Sequence, residues 1–191
     1  MAFRSLIGVR NIHIAKCLTD GNWDTPIKLT GAQEITIKNT YAEGSLIGDM
    51  KKLKSTKKKT GLDVSVGVAE YTNTIKALLE GGEVVKGEYV NSADELGNDV
   101  AVLFEQVFDD NSSNYVVIYK VGLRPENYIE GKGNSENIEY ATTTLTGTAV
   151  AVDIDGKSLF SFELDTSAEG VDATKVSKWF TAVQTPTVEA A

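Results

Sequence analysis

A period of two is the strictest constraint on this chain. Between residues 62 and 69, Val64, Val66 and Val68 fall on one side of an extended backbone, while Asp63, Ser65 and Gly67 fall on the other. Successive side chains of a strand point to opposite faces, so the pattern specifies a half-buried β-strand and argues against a helix. Phe160, Phe162 and Leu164 alternate with Ser161 and Glu163 in the same way. The only prolines are Pro26, Pro125 and Pro186, so strands are rarely interrupted.

Turn chemistry divides the alternating runs. Asp155-Gly156 lies between residues 142–153 and the strand at Phe160, a type I′ hairpin signal. A second hairpin is expected from Val100–Phe108 to residues 115–123, turned by the polar residues 109–114. Another joins residues 8–18 to 27–30 across Asp20-Gly21-Asn22. Two stretches read as helix. Asn73–Glu80 follows a cap at Thr72 or Asn73 and stops at Gly81-Gly82. Residues 172–183 follow a cap at Asp172 and place Val176, Trp179, Phe180 and Val183 at helical spacing. Residues 184–191 are expected to fray.

Residues 39–60 break the pattern. They hold Gly44, Gly48 and the lysines Lys51, Lys52, Lys54, Lys57, Lys58 and Lys59, with scattered Leu46, Ile47, Met50 and Leu53. Strand-like sequence flanks them, so a basic loop is expected here, and a loop of about 20 residues inside a compact domain is more often functional than idle. The 191 residues read as a single β-rich domain with two short helices and this loop.

Charge sharpens the contrast. The chain carries −8 overall, yet residues 51–59 hold six lysines and no acid. Without those six, 13 basic residues face 27 acidic ones, a balance of −14. Such a body does not grip nucleic acid, because phosphate neutralisation needs clustered Lys and Arg. The single cysteine, Cys17, permits no intrachain disulfide and suits a reducing compartment. The first residues lack a signal-peptide pattern, and no apolar run approaches the roughly 18 residues of a membrane span. A cytosolic site of synthesis is expected.

Catalytic equipment is thin. His13 is the only histidine; with Cys17 on the same strand face it is a dyad or metal pair, or simply a strand pair, which needs no further ligands. Asp153-Ile154-Asp155-Gly156 starts like a calcium loop, but its twelfth position is Leu164 rather than a bidentate Glu. Gly131-Lys132-Gly133 is too short to cradle phosphate, and nothing brings Glu83 and Glu88 together as paired carboxylates. No catalytic residue, metal ligand or cofactor is expected, and the chain reads as a non-enzyme. The lysine-rich stretch lacks arginine, and its nearest aromatic residue is Tyr41, a poor match to nucleic-acid readout. It is a solvated loop, or an arm that meets the acidic body of a neighbouring copy. The second arrangement is self-complementary head to tail and builds rings or filaments.

Three parts of the chain resemble one family. Ile7-Gly8-Val9-Arg10-Asn11-Ile12-His13-Ile14-Ala15-Lys16 with Pro26-Ile27-Lys28-Leu29 is similar to the opening of major tail proteins of long-tailed phages. Tyr119-Lys120-Val121-Gly122 through Pro125, then Thr144-Leu145-Thr146-Gly147-Thr148, resembles that family's middle, and Val176-Ser177-Lys178-Trp179-Phe180-Thr181-Ala182-Val183 its closing helix. The resemblance implies a tail-tube fold: two packed antiparallel sheets, one or two short flanking helices and a long inter-strand loop. It implies hexameric rings around an inner β-barrel, stacked into a tube that passes DNA without binding it. The loop with its six lysines would then contact the next ring, and Glu34 and Asp63 are the candidate lumen-facing acids by strand alternation. Partners implied are the chain itself and the tape-measure, tail-terminator and baseplate proteins, with no membrane. The implied location is the virion tail, assembled in the host bacterial cytoplasm. The tube of a contractile tail or phage-derived bacteriocin shares this fold. A different class also fits the residues: a monomeric β-sandwich module binding carbohydrate or protein through Trp23, Tyr41, Tyr89 and Tyr128.

Overall fold

The structure is a computed structural model that describes residues 3–48, 51–129 and 141–187, with backbone only for Ile47, Gly48, Lys51 and Lys52. Gly131-Lys132-Gly133, Met50 and residues 188–191 lie outside the described residues. The elements, in chain order, are β1 (Leu6–Thr19), β2 (Asn22–Trp23), β3 (Ile27–Lys28), β4 (Ala32–Gly48), β5 (Lys51–Val68), α1 (Asn73–Glu80), β6 (Val84–Val85) and β7 (Glu88–Tyr89). Then follow β8 (Val100–Phe108), β9 (Ser113–Val121), β10 (Arg124–Pro125), β11 (Thr143–Ala149), β12 (Val152–Ile154), β13 (Lys157–Leu159), β14 (Ser161–Asp165) and α2 (Ala173–Lys178).

The chain is mainly β. One large antiparallel sheet runs in the order β2-β1-β8-β9-β11-β5-β4, with β3, β10 and β14 attached at its sides. The β12–β13 and β6–β7 pairs form two small sheets. The two expected layers are therefore two halves of one hydrogen-bonded sheet. Its halves, β1-β8-β9 and β11-β5-β4, are joined where Ala149 pairs with Val121. Where β11 leaves β9, β14 takes over the vacated edge from Ser161↔Ile118 to Asp165↔Asn114. No closed barrel forms among the described residues.

The halves pack face to face. Ile12, Ile14, Val64, Val66, Val68, Val102, Phe104, Val116, Ile118 and Leu145 meet in the main core, and α1 seals one end with Ile75 and Leu79. The other face of β8–β9 carries Ala101, Leu103, Val117 and Tyr119, which pack beneath Trp179 and the β12–β13 pair. β8 and β9 are thus buried on both faces, which explains their nearly continuous apolar sequence. Gly147 is needed where the chain crosses itself, since a Cβ there would stand 2.5 Å from the Gly122 carbonyl oxygen.

The helix at Asn73–Glu80 has the expected bounds. Thr72 caps it, its Oγ1 accepting from the Ile75 N–H at 3.3 Å. The second helix is shorter than the expected 172–183. Asp172 caps it as expected, but it ends at Lys178, and Trp179 and Phe180 lie in the following turn. That turn drives Trp179 fully into the second core, a placement that mimics helical spacing. Within the tail expected to fray, the Gln184 carbonyl accepts from Tyr119 Oη at 3.2 Å, and Lys175 Nζ donates to the Thr185 carbonyl at 2.6 Å. Asp155 and Gly156 both take positive φ, 49° and 76°, as a type I′ turn requires. The hairpin they close is only β12–β13, because the strand after it joins β9 instead.

The largest correction concerns residues 39–60. They are not a loop. β4 and β5 stay paired from Ala32↔Val68 to Gly48↔Lys51, in strands of 17 and 18 residues.

Candidate functional site

The outward face of β4, β5 and β11 is built in rows. Strand register sets Glu34, Gly67 and Thr144 side by side, then Thr36, Ser65 and Thr146, then Lys38, Asp63 and Thr148. The alternate residues, Ile35, Ile37, Val64, Val66, Leu145 and Ala149, face the main core. Threonine suits this position because its branched carbon favours a pleated strand while its hydroxyl faces water. Asp63 accepts from Thr40 Oγ1 at 3.2 Å and from Thr148 Oγ1 at 3.1 Å, which ties three strands together. Glu34 lies across Gly67, where a Cβ would stand 3.0 Å from its Cγ. A shallow groove follows Thr36, Lys38, Asp63, Ser65, Thr146 and Thr148. Glu34 and Asp63 therefore share one exposed polar face, two rows apart.

The same two strands continue as a hairpin arm. Tyr41 pairs with Lys59, Ala42 with Lys58, Glu43 with Lys57 and Leu46 with Lys54. Thr40 points to the Asp63 side, so alternation along β4 puts Ala42, Gly44 and Leu46 on that side; an irregularity between Thr40↔Gly61 and Tyr41↔Lys59 leaves Thr60 extra on β5 and brings their partners Lys58, Thr56 and Lys54 to the same side. Lys57 and Lys59 take the opposite side. There Lys57 forms an ion pair with Glu43, and Lys59 Nζ lies 5.5 Å from the centre of the Phe160 ring. Lys54 and Lys58 have no ion-pair partner among the described residues. Lys51 and Lys52 pair through their backbones with Gly48 and Ile47. Lys54 and Lys58 thus stand on one face of the arm, and Lys57 and Lys59 on the other.

A buried charge was not anticipated. Glu105 on β8 is 2% exposed. It accepts from Arg10 Nε at 2.9 Å and Nη2 at 2.8 Å, from Asn11 Nδ2 at 2.9 Å and from Ser113 Oγ at 2.7 Å. Burial pushes its carboxyl up, but the donors from Arg10, Ser113 and Asn11 outweigh burial and hold it below the usual range. A β-bulge between Arg10 and His13, with Asn11 at φ 56°, turns both donors of β1 toward it. The lone acid inside the apolar run Val100–Phe108 was the sequence signal for this network.

His13 sits just past the bulge. Its Nδ1 lies 2.8 Å from the Asn11 carbonyl oxygen, and its ring stacks on Phe180 at 4.6 Å. Burial lowers its pKa, with a smaller push from Lys28. Cys17 Sγ lies 3.5 Å from the Thr19 carbonyl oxygen, and burial raises its thiol. No group of three or more His, Cys, Asp or Glu that could hold a metal occurs among the described residues. The four aromatic residues of the binding-module reading stand on different elements, although Tyr89 and Tyr128 lie near each other. Trp23 Nε1 donates to the Tyr119 carbonyl at 2.8 Å, Tyr41 stands on the arm, Tyr89 is in β7 and Tyr128 follows β10.

No family model and no curated protein matches this chain.

Proposed function

We propose that this protein is the structural subunit of a phage-type tail tube, assembling into rings that stack into a conduit for DNA. The observation that carries this reading is the free edge of β4. This 17-residue strand is paired with β5 along one edge, and among the described residues no strand ladder occupies the other. A long open edge presents a row of unpaired N–H and C=O groups that templates pairing with another chain. Closing copies into a ring removes every such edge at once. The resemblance to major tail proteins supports a ring of six.

The polar rows suit the inner wall. An apolar or basic wall would adhere to DNA, whereas hydroxyls with Glu34, Asp63 and a single lysine offer phosphate little to hold. The basic arm reaches the next ring, the tape-measure protein passes through the tube, and terminator and baseplate proteins are its further partners. Negative-stain imaging and size exclusion of the purified chain test the reading. Rings or tubes several nanometres across are expected, and a persistent monomer at high concentration would sink it.

A further inference from the structure

We infer that the arm's receptor is the acidic, apolar segment at residues 83–99 of a second copy, engaged by the arm face that bears Lys54 and Lys58. This rests on the tube reading and assigns the contact through which rings stack.

Geometry comes first. β5 runs 18 residues from Lys51 near the arm's tip to Val68, roughly 55 Å at the usual strand rise of about 3.3 Å per residue. Helix α1 follows the Val68 end, and the segment after it wraps that helix: Asn73 Nδ2 donates to the Gly87 carbonyl at 3.0 Å, and the Asn98 N–H to the Leu79 carbonyl at 2.9 Å. Arm and segment therefore lie at opposite poles of one ladder and cannot meet within a chain. Translation of a second copy along the ladder brings them together, a heterologous contact that repeats without limit.

Chemistry matches across the gap. Residues 39–60 hold six lysines against Glu43 and Asp49, while residues 83–99 hold five acids against Lys86. Both surfaces are also apolar. The arm exposes Leu46 on the face of Lys54 and Lys58; the segment exposes Val85, Val90 and Leu96, the last at 90%. Glu83, Glu88 and Asp94 form no ion pair among the described residues, as is true of Lys54 and Lys58. Charge sets register and steers encounter, while the apolar residues supply the contact area. Lys57 and Lys59, held by Glu43 and Phe160, shape the arm rather than bind.

Pelleting and negative-stain imaging of the full chain test this. Lys54→Glu with Lys58→Glu is expected to cut tube yield about tenfold while leaving rings, since like charges then face each other. Adding Glu88→Lys and Asp94→Lys to the same chain is expected to restore most of the yield. Lys57→Ser with Lys59→Ser is expected to stay within about threefold of the original, as exposed pairs contribute little. Independently of yield, a Lys58→Cys chain and a Glu88→Cys chain, both with Cys17→Ser, are mixed and oxidised. A disulfide-linked heterodimer is the expected main product. Tubes that ignore the charge swap, or cross-links that join only like chains, overturn the receptor and leave the tube reading standing. An unaltered chain that forms neither rings nor tubes overturns both.

Discussion

One ladder passes through two regions that differ in everything except their hydrogen bonds. In the body, β4 and β5 turn Ile35, Ile37, Val64 and Val66 into the core, and Val64 and Val66 are fully or almost fully buried. In the arm, residues 41–46 and 53–58 are exposed on both faces. Burying a valine side chain stabilises by about 1.5–3 kcal/mol, and the arm has nothing comparable. An isolated two-stranded hairpin is marginal in water. The arm therefore inherits its register from the body beneath it, and its side chains are left free for contact with something else. Four of its lysines follow the same division: Lys57 and Lys59 are engaged by Glu43 and Phe160, while Lys54 and Lys58 have no ion-pair partner among the described residues.

The largest effect that could break this comparison is a core truncation. Leu145→Ala in β11 is expected to cost about 2–5 kcal/mol, because Leu145 is fully buried and its loss leaves a cavity. Thr56→Ala in the arm is expected to stay within about 0.5 kcal/mol of the original protein. Urea unfolding of the two variants decides the point. Comparable losses would mean that the arm packs against something within the same chain.

This difference also explains what could be read in the sequence. Val64, Val66 and Val68 announced their strand because one face is buried, and burial is what writes a period of two. Thr72 and Gly81-Gly82 bounded α1 because capping is local chemistry. The arm was misread as a loop since neither of its faces is buried, so lysine and glycine stand where alternation would have been. Trp179 and Phe180 extended the second helix wrongly, because a turn can bring residues to one core as well as a helix can. The Arg10–Asn11 bulge leaves no periodic trace at all; only Glu105 within an apolar run hinted that a partner was required. The outward face of the body was legible by alternation alone, and Glu34 and Asp63 share it.

Acid should separate the regions next, with a smaller effect. His13 has a pKa below its ordinary value of 6.5, so the unfolded chain takes up a proton first. Stability is then full above about pH 6.5 and declines as pH falls toward the folded value. Glu105 is also held below its ordinary 4.5, so its contribution persists above that value and is lost as pH falls through the folded one. Unfolding followed from pH 7 to pH 3 is expected to fall in two stages, about 6.5 and then below about 4.5. His13→Gln should flatten only the first stage. A single loss below pH 4.5 in the unaltered protein would remove His13 from this account.

The smallest expected effect bears most directly on the arm. Glu43 and Lys57 are both well exposed, and an exposed ion pair is weakened by water and by salt. Glu43→Gln is therefore expected to leave the unfolding midpoint unchanged within error. Hydrogen exchange should still report the change, because the arm's amides open locally, without unfolding the body. Faster exchange confined to residues 41–46 and 53–59, with amides at 62–68 unaffected, would show an arm whose order is borrowed from the ladder and trimmed by its own charges. Uniform exchange along both halves of β5, before and after the substitution, would instead make body and arm one cooperative unit. The free face of Lys54 and Lys58 would then be as rigid as the core, and contact with a neighbour would begin from a fixed shape.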